Sequence, residues 1–270
     1  KSNRSRLIMA KPNSRKRTND RSSHANKKSA GPTDPSAPIW LWGTHAVEAA
    51  LASPQRKILE LKATPNAIRR MRLERADEID QKQLSRMLPD SAVHQGVAVK
   101  VKPLAPIDLD ALIEQRPAGV VVLDQLSDPH NLGAVIRSAA AFGIKAFIAQ
   151  TRHTPPVNGP AAKAAVGAAE RVTECRVVNI ARALDALADA GFDVIGLDGG
   201  GDYRSIDDCV AGQGPVALVM GAEGAGLRPA VAKACTELAK IPMMAGMESL
   251  NLSNAAAISF YELAKARLGL

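Results

Sequence analysis

The chain has 270 residues, of which 46% are hydrophobic and only 3% aromatic, enough for one or two cores of Ala, Val, Leu and Ile but too few rings for an extended base-stacking platform. Its formal charge of +8 points to a polyanionic partner, yet ten Lys or Arg against Asp20 and Asp34 put the whole excess in residues 1–37, leaving 25 basic and 25 acidic residues elsewhere. Cys175, Cys209 and Cys235 stand far apart, which excludes a disulfide framework or a CxxC zinc site, and no apolar run approaches the roughly 20 residues of a membrane helix. A cytoplasmic setting without a metal or membrane partner is expected.

In chain order, residues 1–37 are rich in Lys, Arg, Ser, Asn and Pro, with Leu7-Ile8-Met9 as their only apolar cluster. That is too little burial to offset the entropy of ordering, so a disordered basic arm is expected, either an RNA-binding tail or an inert leader. No secretory h-region opens the chain. From Ile39 a small α/β unit is predicted, with helices near 44–52, 65–75 and 80–87 and strands at 58–62 and 97–102; its bounds are set at 38–103. Prolines 103, 106 and 117 mark residues 104–117 as a linker.

Beyond it strands and helices alternate. Strands are predicted at 119–124, 145–150, 193–197 and 216–220, and helices at 131–142, 159–168, 180–190 and 254–268. Continuous apolar strands such as Val120-Val121-Val122-Leu123 are what a parallel sheet covered on both faces requires. The second domain, 118–270, is therefore read as α/β with a mostly parallel sheet.

Ligands of such sheets collect beyond the carboxyl ends of strands, which directs attention to the loops after Asp124, Met220 and Ile241. The first runs Asp124 to Arg137, with Asn131 placed as a helix N-cap and Gly133 allowing close approach. Arg137, in the second helical turn, is either a solvated residue or a functional cation. The second, Met220-Gly221-Ala222-Glu223-Gly224-Ala225-Gly226, is neither GxGxxG nor a phosphate loop. Its glycines either make a turn or expose backbone to a flat polar ligand such as adenine, and Glu223 argues against phosphate. The third, from Ile241 through Ser249-Leu250-Asn251-Leu252-Ser253-Asn254, ends in a polar cluster before an Ala-rich helix. Ser253 or Asn254 reads as an N-cap, and no G-x-S-x-G hydrolase elbow is present.

Together, in this order and spacing, the three segments resemble the signature motifs of the SpoU or TrmH class of SPOUT RNA ribose 2′-O-methyltransferases. Gly43-Thr44-His45-Ala46-Val47 and Val93-His94-Gln95-Gly96-Val97 make the preceding unit similar to the family's RNA-binding module, which is like ribosomal protein L30e. The two-part layout resembles bacterial enzymes that methylate a guanosine ribose in 23S rRNA. The resemblance implies S-adenosylmethionine as cofactor, RNA as substrate, a C-terminal trefoil knot and a homodimer with its active site at the subunit interface. It places Asn131, Arg137, Glu223, Ser249 and Asn251 at catalytic positions, and Gly221, Ile241 and Leu250 where backbone holds the adenosine.

Arg137 is then expected to clamp a substrate phosphate and stabilise a developing alkoxide, because guanidinium is a poor base unless strongly perturbed; the family proposal of Arg as base stays open. The alternatives are a tRNA ribose methyltransferase and an RNA-binding protein of the same fold that has lost catalysis. A nicotinamide-dependent oxidoreductase would need GxGxxG and a following acid that residues 124–137 do not supply.

Overall fold

The computed structural model describes residues 36–222, 224–246 and 249–268. The expected arm lies, up to residue 35, outside the described residues, as does Glu223.

The small lobe runs β1 (Ile39–Trp42), α1 (Thr44–Ala52), β2 (Ile58–Ala63), α2 (Pro65–Met71), β3 (Asp77–Glu78), α3 (Gln81–Met87) and β4 (Val97–Val101). Its sheet is ordered β1-β4-β2-β3, antiparallel except for the short β2–β3 pair. Alternate residues of β4 explain the layering. Val97, Val99 and Val101 face α1 and α2 with Val47, Ala50 and Ala67, while Ala98 faces α3 with Trp42, Leu84 and Leu88. Helix α2 is shorter than the predicted 65–75. Arg72 turns left-handed (φ 53°), and its N–H and that of Leu73 both return to the Ile68 carbonyl, satisfying the helix end.

The large lobe adds α4 (Leu109–Gln115), β5 (Gly119–Leu123), α5 (Pro129–Ala141), β6 (Ala146–Gln150), α6 (Gly159–Ala165), β7 (Thr173–Val177), α7 (Ile180–Asp189), β8 (Asp193–Leu197), β9 (Arg204–Ser205), α8 (Ile206–Cys209), β10 (Val216–Met220), α9 (Pro229–Ala234), β11 (Glu237–Lys240) and α10 (Leu252–Leu268). Its seven strands are ordered β7-β6-β5-β10-β8-β11-β9, and every pairing is parallel. Side chains alternate across it. Val121, Leu123, Phe147, Leu218 and Met220 join α5, α6 and α10, while Val120, Val122, Ile148, Ala217 and Val219 join α4, α7 and α9. Within 104–117, Ile107 bridges to Cys175 and Leu112 of α4 is 1% exposed in the second of these cores.

The lobes are joined by packing as well as by chain. Ala162 of α6 belongs to the small lobe's core, and a Cβ on Gly159 would lie 1.8 Å from the Trp42 ring. Arg56 meets Glu170 with both side chains under 10% exposed (4% and 7%), at 2.7 Å from Nη2 to Oε1, while its Nη1 donates to the Lys102 carbonyl at 3.0 Å. A buried bidentate pair of this kind fixes geometry more than it adds stability.

Candidate active site

The carboxyl ends of β8, β10 and β11 open into a cleft of about 1040 Å³. After β10 the chain folds back on itself, Ala222 and Gly226 exchanging both backbone hydrogen bonds at 3.0 Å. Gly224 (φ 76°) and Gly226 (φ 67°) supply the left-handed conformations this turn needs, so they serve the turn-making reading. Gly221 serves the same turn, by close approach of its two arms. A Cβ there would stand 2.2 Å from the Gly226 carbonyl carbon and 2.4 Å from the Leu227 nitrogen, closer than any side chain permits.

The opposite wall comes from the segment leading into α10. Asn251 is its cap: Oδ1 accepts from Ser253 N at 2.9 Å and from Ser253 Oγ at 2.6 Å, and its carbonyl accepts from the N–H groups of Asn254 and Ala255. This corrects the expected cap at Ser253 or Asn254. The first motif needs the same correction. Asp128 caps α5, accepting from His130 N at 2.9 Å with Pro129 in the first turn, so Asn131 lies inside the helix instead of capping it. The Gly133 approach is to α6, where a Cβ would meet the Ala161 carbonyl at 2.3 Å.

Five expected site residues thus converge: Gly221, Ile241, Ser249, Leu250 and Asn251 all line the cleft. Asn131 and Arg137 do not line it; Arg137 is exposed on α5. Glu223 lies outside the described residues. Sequence reasoning missed the loop after β8, where Asp198 lines the cleft and Oδ1 accepts from Gly200 N at 2.8 Å. The signal was present, because Asp198-Gly199-Gly200-Gly201 also follows an apolar strand. Asp198 is the one charged side chain among the described lining residues.

Other chemistries are narrowed. Burial pushes the thiols of Cys175 and Cys209 up to about 11 and that of Cys235 up to about 12, so none is a nucleophilic thiolate at neutral pH. Among the described residues no group of three or more His, Cys, Asp or Glu is placed to hold a metal, and no helix is long and apolar enough to cross a membrane. Asp124, 1% exposed at the end of β5, is taken up by Arg228 at 2.5 Å, which pins the first motif to the start of α9.

An all-parallel sheet whose cleft is framed by backbone from a glycine turn and from a helix cap, behind a small α/β lobe, is the architecture of a SPOUT methyltransferase with a substrate-binding lobe. Residues 118–261 match the SpoU rRNA Methylase family and residues 40–107 match RNA 2′-O ribose methyltransferase substrate binding. The chain belongs to the SpoU rRNA Methylase family. An uncharacterized tRNA/rRNA methyltransferase of Mycolicibacterium gilvum is 42% identical over 195 residues, covering 70% of this chain and 61% of that protein. One from Mycobacterium tuberculosis is 44% identical over 179 residues, 65% of this chain and 55% of that protein. The chain thus spans about three fifths of the length of such relatives. Among solved structures, the SpoU methyltransferase AviRb from Streptomyces viridochromogenes, in complex with the cofactor AdoMet, superposes with a TM-score of 0.70 at 25% identity, covering 86% of this chain and 91% of that one. An AdoMet-bound rRNA methyltransferase from Sinorhizobium meliloti gives 0.69 at 25% identity, covering 84% and 87%.

Proposed function

We propose that the chain is an S-adenosylmethionine-dependent RNA ribose 2′-O-methyltransferase of the cytoplasm, with residues 38–103 holding RNA and residues 118–270 carrying cofactor and chemistry. The observation that carries this reading is the composition of the cleft. Leu197, Ile241 and Leu250 offer apolar sides to an adenine, the turn at 221–226 and the segment 249–252 offer backbone, and Asp198 is the only charge among the described lining residues. A nucleoside bearing a positive sulfur suits such walls, whereas the phosphates of a dinucleotide would meet an acid and no cation.

S-Adenosylmethionine, when bound, would supply a methyl group on a positively charged sulfur, the methyl–sulfur bond breaking to leave a neutral thioether as the methyl–O2′ bond forms, with the hydroxyl proton released to water. The protein must then align O2′ and favour its deprotonated form. Ser249 and Asn251, exposed at the cleft, are assigned to orienting the ribose. Arg137, with its planar guanidinium fork, is assigned to clamping the adjoining phosphate and stabilising charge on O2′.

Within one chain Arg137 stands away from the cleft, which favours a homodimer in which a second copy supplies it. On α10, which packs against α5, Ile258 and Tyr261 remain 37% and 46% exposed one turn apart, an apolar stripe suited to that contact. The reading also carries the knotted C-terminal chain path that the resemblance implies. The proposed target is a guanosine ribose of 23S rRNA, supported by the two-lobe layout and the rRNA methylase family match.

Arg137→Ala is expected to slow single-turnover methyl transfer by about 10² to 10³ while cofactor affinity by calorimetry stays within a factor of about two. Sedimentation should give a dimer. Mapping ribose methylation in RNA from cells with and without the gene identifies the target. A wild-type transfer rate in Arg137→Ala, or modification found on tRNA alone, would overturn the assignment concerned.

A further inference from the structure

A second cavity, of about 900 Å³, lies wholly on the small lobe and has a different chemistry. Its lining includes the exposed guanidinium groups of Arg69 and Arg70 and the amides of Asn66, Gln81 and Gln95. The backbone at its rim is unusual. Gln95 is left-handed (φ 55°) although it is not glycine, and is held there by Arg70, whose Nη2 donates to the Gln95 carbonyl at 3.0 Å and to Thr44 Oγ1 at 3.2 Å. Strain of this kind persists only where the surroundings over-determine it, and it gathers at binding sites.

The Gln95 side chain is set from the other lobe. Lys163 of α6 donates to its Oε1 at 2.6 Å, and Thr44 N donates to the same atom at 3.0 Å. Two donors on one atom make it the oxygen, because the NH2 end could accept from neither. The amide NH2 is therefore the end left for a ligand. Gly43 makes room for this arrangement, since a Cβ there would stand 2.2 Å from Lys163 Nζ.

We propose that this cavity takes one unstacked nucleotide of the substrate RNA, with its phosphate on Arg69 and a base acceptor on the Gln95 amide, and that Lys163 is a specificity-determining positioning residue that, making the shorter of the two bonds to Oε1 with the Thr44 N–H beside it, holds the amide with its NH2 end presented. The proposal rests on the reading of RNA as substrate. An exposed guanidinium, that of Arg69, with the Arg70 charge behind it suits a phosphate, and amides carrying both donors and acceptors suit a base edge. No aromatic side chain lines the cavity, so recognition is by edges instead of stacking. An acidic peptide would use the arginines and the NH2 ends of the amides but would leave the amide oxygens of Asn66 and Gln81 unmatched, whereas a base edge offers donors to them as well.

The test is binding of labelled single-stranded RNA octamers to the full chain, with an abasic octamer and octaglutamate as the other probes, each protein checked for folding by its melting curve. Arg69→Ala should weaken all octamers about tenfold, including the abasic one, as loss of a phosphate contact does. Gln95→Glu should weaken base-bearing octamers by about tenfold more than the abasic octamer, which separates lost base reading from added charge. Lys163→Met should alter which base is preferred while affinity for a mixed-sequence pool stays within about twofold, a readout that a merely structural lysine would not move. Wild-type binding by both Arg69→Ala and Gln95→Glu would overturn the proposal. So would an unchanged base preference in Lys163→Met, or competition by octaglutamate as effective as by RNA, which would make the cavity a protein-docking site. Methyl incorporation measured on the same preparations tests the parent reading separately, since octamer binding that depends on Arg69 needs no methyl transfer.

Discussion

Residues 38–103 carry eleven Lys or Arg against seven Asp or Glu, whereas residues 104–270 carry fourteen against eighteen, so the neutral body is a +4 lobe fused to a −4 lobe. The two cavities follow the same division. In the large lobe the walls are glycine turn, helix cap and apolar side chains, with Asp198 as the only charge among its described lining residues. In the small lobe they are arginines and amides. A cationic sulfonium and a polyanionic RNA make opposite electrostatic demands, and under the proposed function the basic lobe would carry most of the grip on RNA while only the reacting nucleotide meets the acidic lobe. The first site is built from backbone, where adding one Cβ is ruinous; the second from side-chain ends, where losses are graded.

The sharpest way to break this comparison is Gly221→Val. Its branched side chain must displace backbone at 226–227 that a Cβ alone would approach to 2.2 Å. Affinity for S-adenosylmethionine should fall by about a hundredfold or more by calorimetry, an overpacking cost concentrated at the site. Binding of RNA octamers by the small lobe should be unaffected. Normal cofactor affinity in the variant would show that the backbone approach at Gly221 is not what the cleft uses.

How much was legible in the sequence differs between the lobes for the same reason. Glycines and a polar cluster after apolar strands drew attention to these loops, but it was the resemblance to the family's motifs that singled out Gly221, Ile241, Ser249, Leu250 and Asn251, which the cleft brings together. The parallel sheet was legible from continuous apolar strands, but β7 (TECRV) and β11 (ELAK) were not, since their polar residues hide them. Which polar residue caps a helix was misjudged twice, at Asp128 and Asn251, because neighbouring Asn, Asp and Ser are near-equivalent caps and only geometry chooses. The small-lobe cavity was illegible. Asn66 and Arg69 share α2, but Gln81 opens α3, Gln95 lies just before β4, and Lys163 comes from the other lobe, so no one motif joins them.

An effect on folding instead of binding probes whether the lobes are one cooperative unit. Glu170→Ala leaves Arg56 buried without its carboxylate, a loss of about 3–5 kcal/mol by analogy with other broken buried pairs. A single, lowered unfolding transition is expected by calorimetry, because Ala162 and Trp42 already tie the two cores together. Replacing both partners by apolar residues, Arg56→Met with Glu170→Leu, should recover most of the loss. Two separated transitions in Glu170→Ala would show instead that the lobes unfold independently.

The smallest effect concerns acid, and it bears on the small lobe alone. His94, buried at 5% exposure, accepts from Gly96 N through Nδ1 at 3.1 Å and lies 3.0 Å from Ser85 Oγ through Nε2. Ser85 gives its own proton to the Gln81 carbonyl at 2.9 Å, so the ring is the neutral tautomer carrying its proton on Nε2. Burial lowers the His94 pKa from its ordinary 6.5. The unfolded chain therefore binds a proton on His94 at a pH where the folded chain refuses it. The His94 contribution to stability is complete above about 6.5 and is lost as pH falls through the depressed folded value. His94→Gln should flatten the acid limb of melting temperature against pH in that window. Protonation at Nδ1 would also break the bond to Gly96, the neighbour of Gln95, and so disturb the amide proposed to read the base. RNA octamer binding should then weaken as pH falls from 7 towards 5, about where a new imidazolium would ordinarily strengthen attraction to phosphate. Binding that tightens smoothly with acid would mean that charge alone governs the small lobe and that its cavity has no shape to lose.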